Sequence, residues 1–355
     1  MSEQAPVARP LDDFALAAAL CAEEAIARLG LREAYFKIAG LTLKTRFAGD
    51  ALHDQISRPL AHIRSEPVAE PDLTITVWDT ALSGIPLPKE AGPAAGHLRR
   101  GLALLQQEGR YLSLFEGVDR GLSVYDVENE TAVYWVPDAT RISEGDRATP
   151  FRVILNWWLP SKNCAMVHSA GIGTEAGGVL LFGLSGAGKS TTSLASFEAG
   201  FEFLADDLCA ITVAEDVTAY SVYCSAKVYE HNLERVPNFA SLVTNPQGLE
   251  TEKAIGFLTQ WDEGRVVRAM PIRAAIVLTA KEPGPPKLNR IAPAMALRMF
   301  APPSVLNLPG PTKSLLGILA RLCSRVPCYE MQISTELPEN PRALRQLLAS
   351  LETRA

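Results

Sequence analysis

A strand, a glycine-rich loop and a helix follow one another directly between residues 178 and 199, and this order constrains the fold more than any other feature of the chain. The apolar run at 178–182 is typical of a strand buried on both faces of a sheet. The loop after it matches G-x-x-x-x-G-K-[S/T] at every fixed position. Residues 191–199 contain no helix breaker and stop at Gly200, a favourable C-terminal cap. The pattern predicts an α/β domain with a phosphate site at a helix N-terminus.

The loop carries the residue types that a bound nucleoside triphosphate requires. Its glycines let successive backbone N–H groups point at phosphate oxygens, Lys189 can reach the β- and γ-phosphates, and the Ser190 hydroxyl is a ligand for Mg²⁺. A glycine turn without a ligand is the competing interpretation, and the flanking strand and helix disfavour it. The predicted nucleotide-binding residues are Gly183, Leu184, Ser185, Gly186, Ala187, Gly188, Lys189, Ser190 and Thr191.

Two adjacent carboxylates, Asp206 and Asp207, end the next apolar stretch at 201–205. A strand beside such a loop commonly delivers one aspartate to Mg²⁺, directly or through water. Because adjacent strand side chains point to opposite faces, both reach the site only if the strand ends or twists there. The pair therefore predicts one carboxylate for the metal and one to accept a proton from an attacking hydroxyl. The alternative is a solvated strand end with one functional aspartate.

Three landmarks in order resemble the HPr kinase/phosphorylase family, whose kinase domain contains a P-loop. They are His168 within Val-His-Ser-Ala, the glycine loop, and Leu-Ala-Asp-Asp ending at Asp207. The resemblance covers residues 164–213 well and the remainder weakly. It implies a P-loop kinase domain of the HPr kinase C-terminal type that uses ATP and Mg²⁺.

The resemblance also implies roles for individual residues. His168 and Asp206 would lie beside the γ-phosphate, with Asp206 acting as base toward a serine hydroxyl, while Asp207 would help to hold the metal. His168 would tune Asp206 or contact the transferred phosphate, and a hydrogen-bonded structural histidine is the alternative. The catalytic residues implied are Asp206, His168 and Lys189, and the metal-binding residues are Ser190 and Asp207.

Departures from the family narrow the expected activity. Thr191 stands where bifunctional HPr kinases usually have a glutamate, and their downstream segment for phosphorolysis is not recognisable. A kinase-only activity is therefore favoured. The layout is similar to HPr kinase-like enzymes of lasso-peptide clusters, which phosphorylate a serine near the C-terminus of the precursor. The implied acceptor is a serine in such a peptide or in a protein, and the implied assembly is a homo-oligomer. Phosphoenolpyruvate carboxykinase shares the wider fold, but its carboxylate-binding and metal-ligand residues are not recognisable.

The chain is predicted to divide near residue 145. Residues 1–145 form a smaller β-rich α+β domain, a candidate for substrate recognition, and 146–355 form the α/β P-loop kinase domain. In the first part we expect a helix at 11–29, strands within 34–47 and at 72–78, 109–115 and 121–125, and a loop at 84–96. In the second we expect a helix at 149–159, strands at 274–278 and 328–333, and helices near 295–300, 315–322 and 341–351.

Composition limits the remaining choices. The 355 residues carry a net charge of -6, so no basic field attracts nucleic acid or anionic lipid. No apolar run approaches a bilayer span, and the N-terminus lacks the order of a signal peptide. We therefore expect a cytoplasmic enzyme with neither a nucleic-acid nor a membrane partner. The six cysteines are expected to be buried thiols rather than a metal site.

Other residues and other functions stay open on the sequence. Lys227 could meet a phosphate or an acidic substrate group, and Arg268 and Arg273 could neutralise charge at the site. A small-molecule kinase acting on free serine or a sugar, or an ATP-binding regulatory ATPase, would use the same phosphate machinery. The guanine-reading Asn/Thr-Lys-x-Asp pattern is absent, which favours ATP.

Overall fold

The computed structural model describes residues 10–88, 104–116, 121–310 and 312–353. The chain divides into two compact units. The first comprises Met1–Phe36, Leu41–Ser57 and Ser65–Ser143, and the second comprises Lys37–Gly40, Arg58–Arg64 and Glu144–Ala355. The predicted loop at 84–96 has no regular structure as far as residue 88, and the rest of it lies outside the described residues.

One helix and a seven-stranded sheet form the core of the first unit. The strand order is β1-β2-β3-β7-β6-β5-β4, with β3 parallel to both β2 and β7. The predicted first helix and the predicted strands are confirmed, with boundaries that shift by a few residues. The elements are α1 (Pro10–Leu29), β1 (Leu31–Ile38), β2 (Leu41–Ala48), α2 (Asp50–Ser57), β3 (Leu73–Asp79), α3 (Thr80–Ser83), β4 (Leu104–Glu108), β5 (Tyr111–Phe115), β6 (Leu122–Asp126) and β7 (Thr131–Val136).

The alanine-rich face of α1 explains how this helix packs on the sheet. Ala18 and Ala22 are fully buried and lie in one cluster with Trp78 and Trp135. Small side chains on this face of the helix let it approach the large indole rings closely, and burial of those rings stabilises the unit.

The second unit is a mixed α/β fold with two sheets. Its elements are α4 (Glu144–Ala148), α5 (Arg152–Trp158), β8 (Cys164–Val167), β9 (Ala170–Thr174), β10 (Gly177–Phe182), α6 (Lys189–Glu198), β11 (Glu202–Ala205), β12 (Cys209–Val213), β13 (Val217–Ser221), β14 (Ser225–Val228), α7 (Pro237–Ala240), β15 (Ala254–Phe257), α8 (Thr259–Asp262), β16 (Ala269–Glu282), β17 (Lys287–Ile291), α9 (Pro293–Asn307), α10 (Thr312–Arg325), β18 (Cys328–Ser334) and α11 (Glu339–Glu352).

The larger sheet has nine strands and is covered on both faces. Its main path is β11-β9-β10-β16-β13-β12-β8, with β18 beside β16 and β17 beside β18. All of β10 is buried, as the apolar run predicted. Leu180 and Phe182 pack with Phe300 of α9, whereas Val179 and Leu181 pack with α11. This alternation follows from the two-residue period of a strand, and it fixes β10 between two helical layers directly before the glycine loop.

The predicted helix at 149–159 is shorter than expected. It begins only at Arg152, because Phe151 adopts a left-handed backbone conformation with φ 59°. It gives way to a 3-10 turn at Leu159–Lys162, where a proline stands at the start. Trp157 and Trp158 are both buried and belong to the core.

The cysteines are mostly buried, as the sequence predicted. Five of the six cysteines are buried and Cys21 is half-buried. Within the described ranges, no helix combines the length and the apolar character needed to cross a bilayer.

A buried histidine makes the stability of the second unit sensitive to acid. The Nε2 atom of His62 lies 2.6 Å from the Ser221 hydroxyl, and the Arg268 side chain donates to the His62 carbonyl at 2.9 Å. Burial, with the Arg268 charge as a second cause, lowers the pKa of His62 to about 4. The unfolded chain therefore binds a proton near its ordinary pKa of about 6.5, while the folded chain resists it. The stability contributed by neutral His62 is present above about pH 6.5 and is lost as the pH falls from there toward about 4.

We expect a fall from about pH 7.5 to about pH 5 to cost about 2 kcal/mol of unfolding free energy through His62 alone. In His62→Gln, the unfolding free energy obtained from urea titration should lose this part of its pH dependence. His231→Gln, at an exposed histidine of the same unit, should keep the pH dependence of wild type. An unchanged slope in His62→Gln would contradict the assignment.

Candidate active site

The glycine loop connects the end of β10 to the start of α6. Gly183, Gly186 and Gly188 have φ of 151°, 81° and 98°, values that L side chains rarely adopt. Gly188 caps α6, and no side chain accepts the N–H groups of the first turn at this cap. Those N–H groups and the helix dipole therefore favour an anion at the loop.

Lys189 lies inside the loop. Its side chain is buried, and Nζ donates to the carbonyl oxygens of Gly183 at 2.7 Å and Leu184 at 3.3 Å. Burial lowers the pKa of Lys189, while Asp207 and Asp206 act in the opposite direction. A cation held at this depth is stabilised by a nearby anion, as the predicted phosphate contact requires.

A cleft, called the loop cleft below, brings most of the predicted site residues together. Ser185, Gly186, Gly188, Lys189, Ser190 and Thr191 line it on the loop side, and His168, Asp207, Lys227, Tyr229, Lys253 and Lys281 line it elsewhere. Gly183, Leu184 and Ala187 are not lining residues. Leu184 is exposed at the loop tip, and Ala187 packs against the core beneath it.

Asp206 is the buried member of the acidic pair. Its carboxylate accepts hydrogen bonds from the Ser193 hydroxyl at 3.2 Å and from the Lys227 backbone N–H at 2.9 Å. Burial and the neighbouring Asp207 raise its pKa, and a hydrogen bond with the Ser190 side chain acts against the rise. Asp206 is thus joined to the residue that follows Lys189 in the loop.

Asp207 faces the loop cleft. Its two carboxylate oxygens lie 3.3 Å from His168 Nδ1 and 3.3 Å from Lys227 Nζ. Burial alone would raise its pKa, but the positive charges of Lys227 and Lys253 outweigh burial and hold the pKa below its usual range. Because β11 ends at Ala205, the two aspartates reach different surroundings.

His168 follows β8 and is held by α9. Its backbone N–H donates to the buried Ser304 hydroxyl at 3.0 Å. Burial lowers the pKa of the imidazole to about 4, although Asp207 favours the charged form. The ring is therefore neutral at neutral pH. The sequence predicted His168 beside Asp206, whereas the carboxylate that His168 contacts in the structure is that of Asp207.

Lysines missed by the sequence analysis complete the loop cleft. Lys281 stands near the end of β16, which is parallel to β10, so the shared edge of parallel strands was the signal for it. Lys253 directly precedes β15, and no sequence motif identifies it. The arginines considered earlier contact backbone elsewhere, since Arg268 donates to His62 and Arg273 to Ala176. Neither arginine lines the loop cleft.

The oxygen atoms at the loop fit a magnesium ion that also contacts phosphate. Ser190 and Asp206 together offer a hydroxyl and a carboxylate, the hard oxygen ligands that Mg²⁺ prefers. In the part of the chain that the structure describes, no group of three or more His, Cys, Asp and Glu side chains could hold a metal. Mg²⁺ in nucleotide sites is usually bound by one or two carboxylates together with substrate phosphates and water.

Comparison with known proteins assigns neither a family nor an activity. No protein-family model and no curated protein matches the chain. Among solved structures, the Hpr(Ser) kinase/phosphatase from Coxiella burnetii matches 54% of this chain and 99% of its own, with 14% sequence identity and a TM-score of 0.32. A likeness this distant carries no functional conclusion, so function rests on the geometry of the loop cleft.

Proposed function

We propose that the second unit is a Mg·ATP-dependent phosphotransferase that acts on an alcohol. The observation that carries the proposal is the partly exposed Asp207 carboxylate, which shares the loop cleft with Lys189 and is fixed by His168 and Lys227. A phosphate-binding loop alone fits any nucleotide-binding protein. A fixed carboxylate opposite it adds a group that can align an attacking hydroxyl.

The two aspartates have different roles in the proposed mechanism. Loop amides and Lys189 bind the phosphates, and Ser190 with Asp206 holds Mg²⁺. When bound, Mg²⁺ neutralises charge on the β- and γ-phosphate oxygens. Asp207 accepts the hydrogen of the acceptor hydroxyl. This reverses the roles that the resemblance implied, because Asp206 is buried with both carboxylate oxygens hydrogen-bonded while Asp207 lines the loop cleft.

The reaction transfers the γ-phosphoryl group in line. The bond between phosphorus and the β–γ bridging oxygen breaks, the bond between phosphorus and the hydroxyl oxygen forms, and the hydroxyl proton passes to Asp207. The depressed pKa makes Asp207 a weak base. A weak base suits a loose transition state, in which positioning and charge stabilisation dominate. Neutral His168 and charged Lys227 orient the carboxylate.

The acceptor is proposed from the sequence resemblance. We propose a serine hydroxyl in a peptide or protein, such as a lasso-peptide precursor, with ATP as donor. A kinase of free serine or a sugar and a regulatory ATPase use the same phosphate contacts and differ only in what occupies the acceptor position.

Acceptor-dependent ADP release tests the proposal. The full chain is incubated with Mg·ATP alone, with a serine-ended peptide, or with free serine and simple sugars, and the products are measured by intact mass. We expect ADP to form only with a hydroxyl acceptor, which gains one phosphate. ADP formed at the same rate without any acceptor would favour the ATPase, and failure to bind Mg·ATP would overturn the proposed function.

A further inference from the structure

One lysine of the loop cleft, Lys253, is held against an aromatic ring rather than by a carboxylate or by loop carbonyls. Lys189 is bonded to loop carbonyls, and Lys227 is paired with Asp207. The Nζ atom of Lys253 instead lies 4.7 Å from the centroid of the Tyr229 ring. Among the residues that the structure describes, no carboxylate forms an ion pair with Lys253. A cation over an aromatic face keeps its charge available for another anion.

The backbone around Lys253 is fixed on both sides. The Asn245 side-chain NH2 donates to the Lys253 backbone carbonyl at 2.9 Å, and the Ile255 backbone N–H donates to the Asn245 side-chain Oδ1 at 2.8 Å. Asn245 is buried. Strand β15 begins at the next residue and pairs with β14, where Lys227 stands opposite Ile255. This two-stranded ribbon therefore presents both lysines to the loop cleft.

The charge of Lys253 reaches the groups that the proposed reaction uses. Burial is the largest influence on the pKa of Lys189, His168, Asp206 and Asp207, and the Lys253 ammonium acts on all four. Lys281, the other cleft lysine without an ion pair, is not among the main influences on these pKa values. It packs instead beside Gly188, with its Cε 3.3 Å from where a Cβ would lie.

The geometry points to Lys253 as a catalytic residue that stabilises negative charge on the transferring phosphoryl group, with Tyr229 and Asn245 as its positioning residues. This inference rests on the proposed phosphotransferase function. Lys253 transfers no proton in this step, and the γ-phosphoryl group passes from ATP to the hydroxyl oxygen, with ADP as the leaving group, as described above. A preorganised cation aimed at developing charge acts more strongly on the transition state than on the bound substrate.

Binding of a transition-state mimic by the full chain tests Lys253 without knowledge of the acceptor. Mg·ADP affinity is measured with and without aluminium fluoride, which occupies the position of the transferring phosphoryl group. In wild type we expect fluoride to strengthen Mg·ADP binding. Lys253→Met should reduce that enhancement by about 100- to 1,000-fold while Mg·ADP affinity changes by less than about threefold. Lys253→Arg should recover part of it, and Lys287→Met, an exposed lysine on β17, should match wild type.

Substitutions at Tyr229 separate positioning from a general structural effect. Tyr229→Phe retains the ring beneath the ammonium and should keep most of the enhancement, whereas Tyr229→Leu should lose much of it with Mg·ADP affinity preserved. A Lys253→Met protein with the full enhancement would overturn the inference and leave the proposed function standing, as would equal weakening of both complexes. A wild type that binds no Mg·ADP, or gains nothing from fluoride, would overturn the proposed function and the inference with it.

Discussion

Asp207→Asn should abolish phosphoryl transfer while Mg·ATP still binds. The substitution keeps the shape of the side chain but removes the charge that is paired with His168 and Lys227 and the site that accepts the hydroxyl proton. Loss of a positioned acid or base typically costs 100- to 10,000-fold in rate, and we expect a fall of about that size in acceptor-dependent ADP formation. Single-turnover measurement at saturating Mg·ATP isolates the chemical step from binding.

Asp206→Asn is the matched control, because the two aspartates are adjacent and differ in what they contact. Asp206 is bonded to Ser193 and to the Lys227 backbone rather than open to the loop cleft. We expect this variant to raise the Mg²⁺ concentration needed for half-maximal ATP binding, whereas Asp207→Asn should leave that concentration unchanged. The opposite pattern, with normal metal dependence and lost transfer in Asp206→Asn alone, would restore the roles implied by the resemblance.

Gly183→Ala should weaken nucleotide binding far more than Gly186→Ala. Both glycines have positive φ, but the Cβ of an alanine at 183 would lie 2.9 Å from the Ala187 Cβ and 3.2 Å from the Leu278 carbonyl oxygen. Neither neighbour is the end of a flexible side chain. Backbone strain of about 1 to 3 kcal/mol adds to an overpacking cost of similar size. We expect loss of ATP affinity by at least about 100-fold, measured by titration calorimetry, together with a lower thermal midpoint.

The space around Gly186 makes it the control. Nothing lies within 4 Å of a Cβ built there, so Gly186→Ala carries only the cost of the left-handed backbone, about 1 to 2 kcal/mol. Equal losses in the two variants would show that backbone conformation alone, rather than contact with Ala187 and β16, sets the shape of the loop.

The fold was predictable where local pattern and packing agree. Strand β10 was evident because its whole length is apolar, and α6 because residues 191–199 contain no helix breaker and are followed by Gly200. The helix in the structure starts two residues earlier, at Lys189, and ends at Glu198. The short α5 was not, since the left-handed Phe151 depends on tertiary packing that no local rule describes. Nor does the sequence show that β9 lies antiparallel between β10 and β11.

The candidate site was predictable to the extent that its residues lie in motifs. The loop and the acidic pair were found in this way, and the sequence already posed the choice of roles between Asp206 and Asp207. The two aspartates differ in burial. The Asp206 carboxylate is enclosed by hydrogen-bond donors, whereas Asp207 lines the loop cleft. Lys253 was not predicted, because the pairing of β14 with β15 brings it to the cleft from a distant position in the chain.

Strand β16 joins the two halves of the main sheet of the second unit. Residues 272–277 pair with β10, while the opposite edge of the same strand pairs first with β13 and then with β18. The segment also supplies the Leu278 carbonyl beneath the loop and ends near Lys281. In the described strand pairing, β10 and β13 are joined through β16 and do not pair with each other. Because both halves of the sheet pair with this strand, displacement of β16 would separate the two halves and remove the support beneath the phosphate loop at the same time.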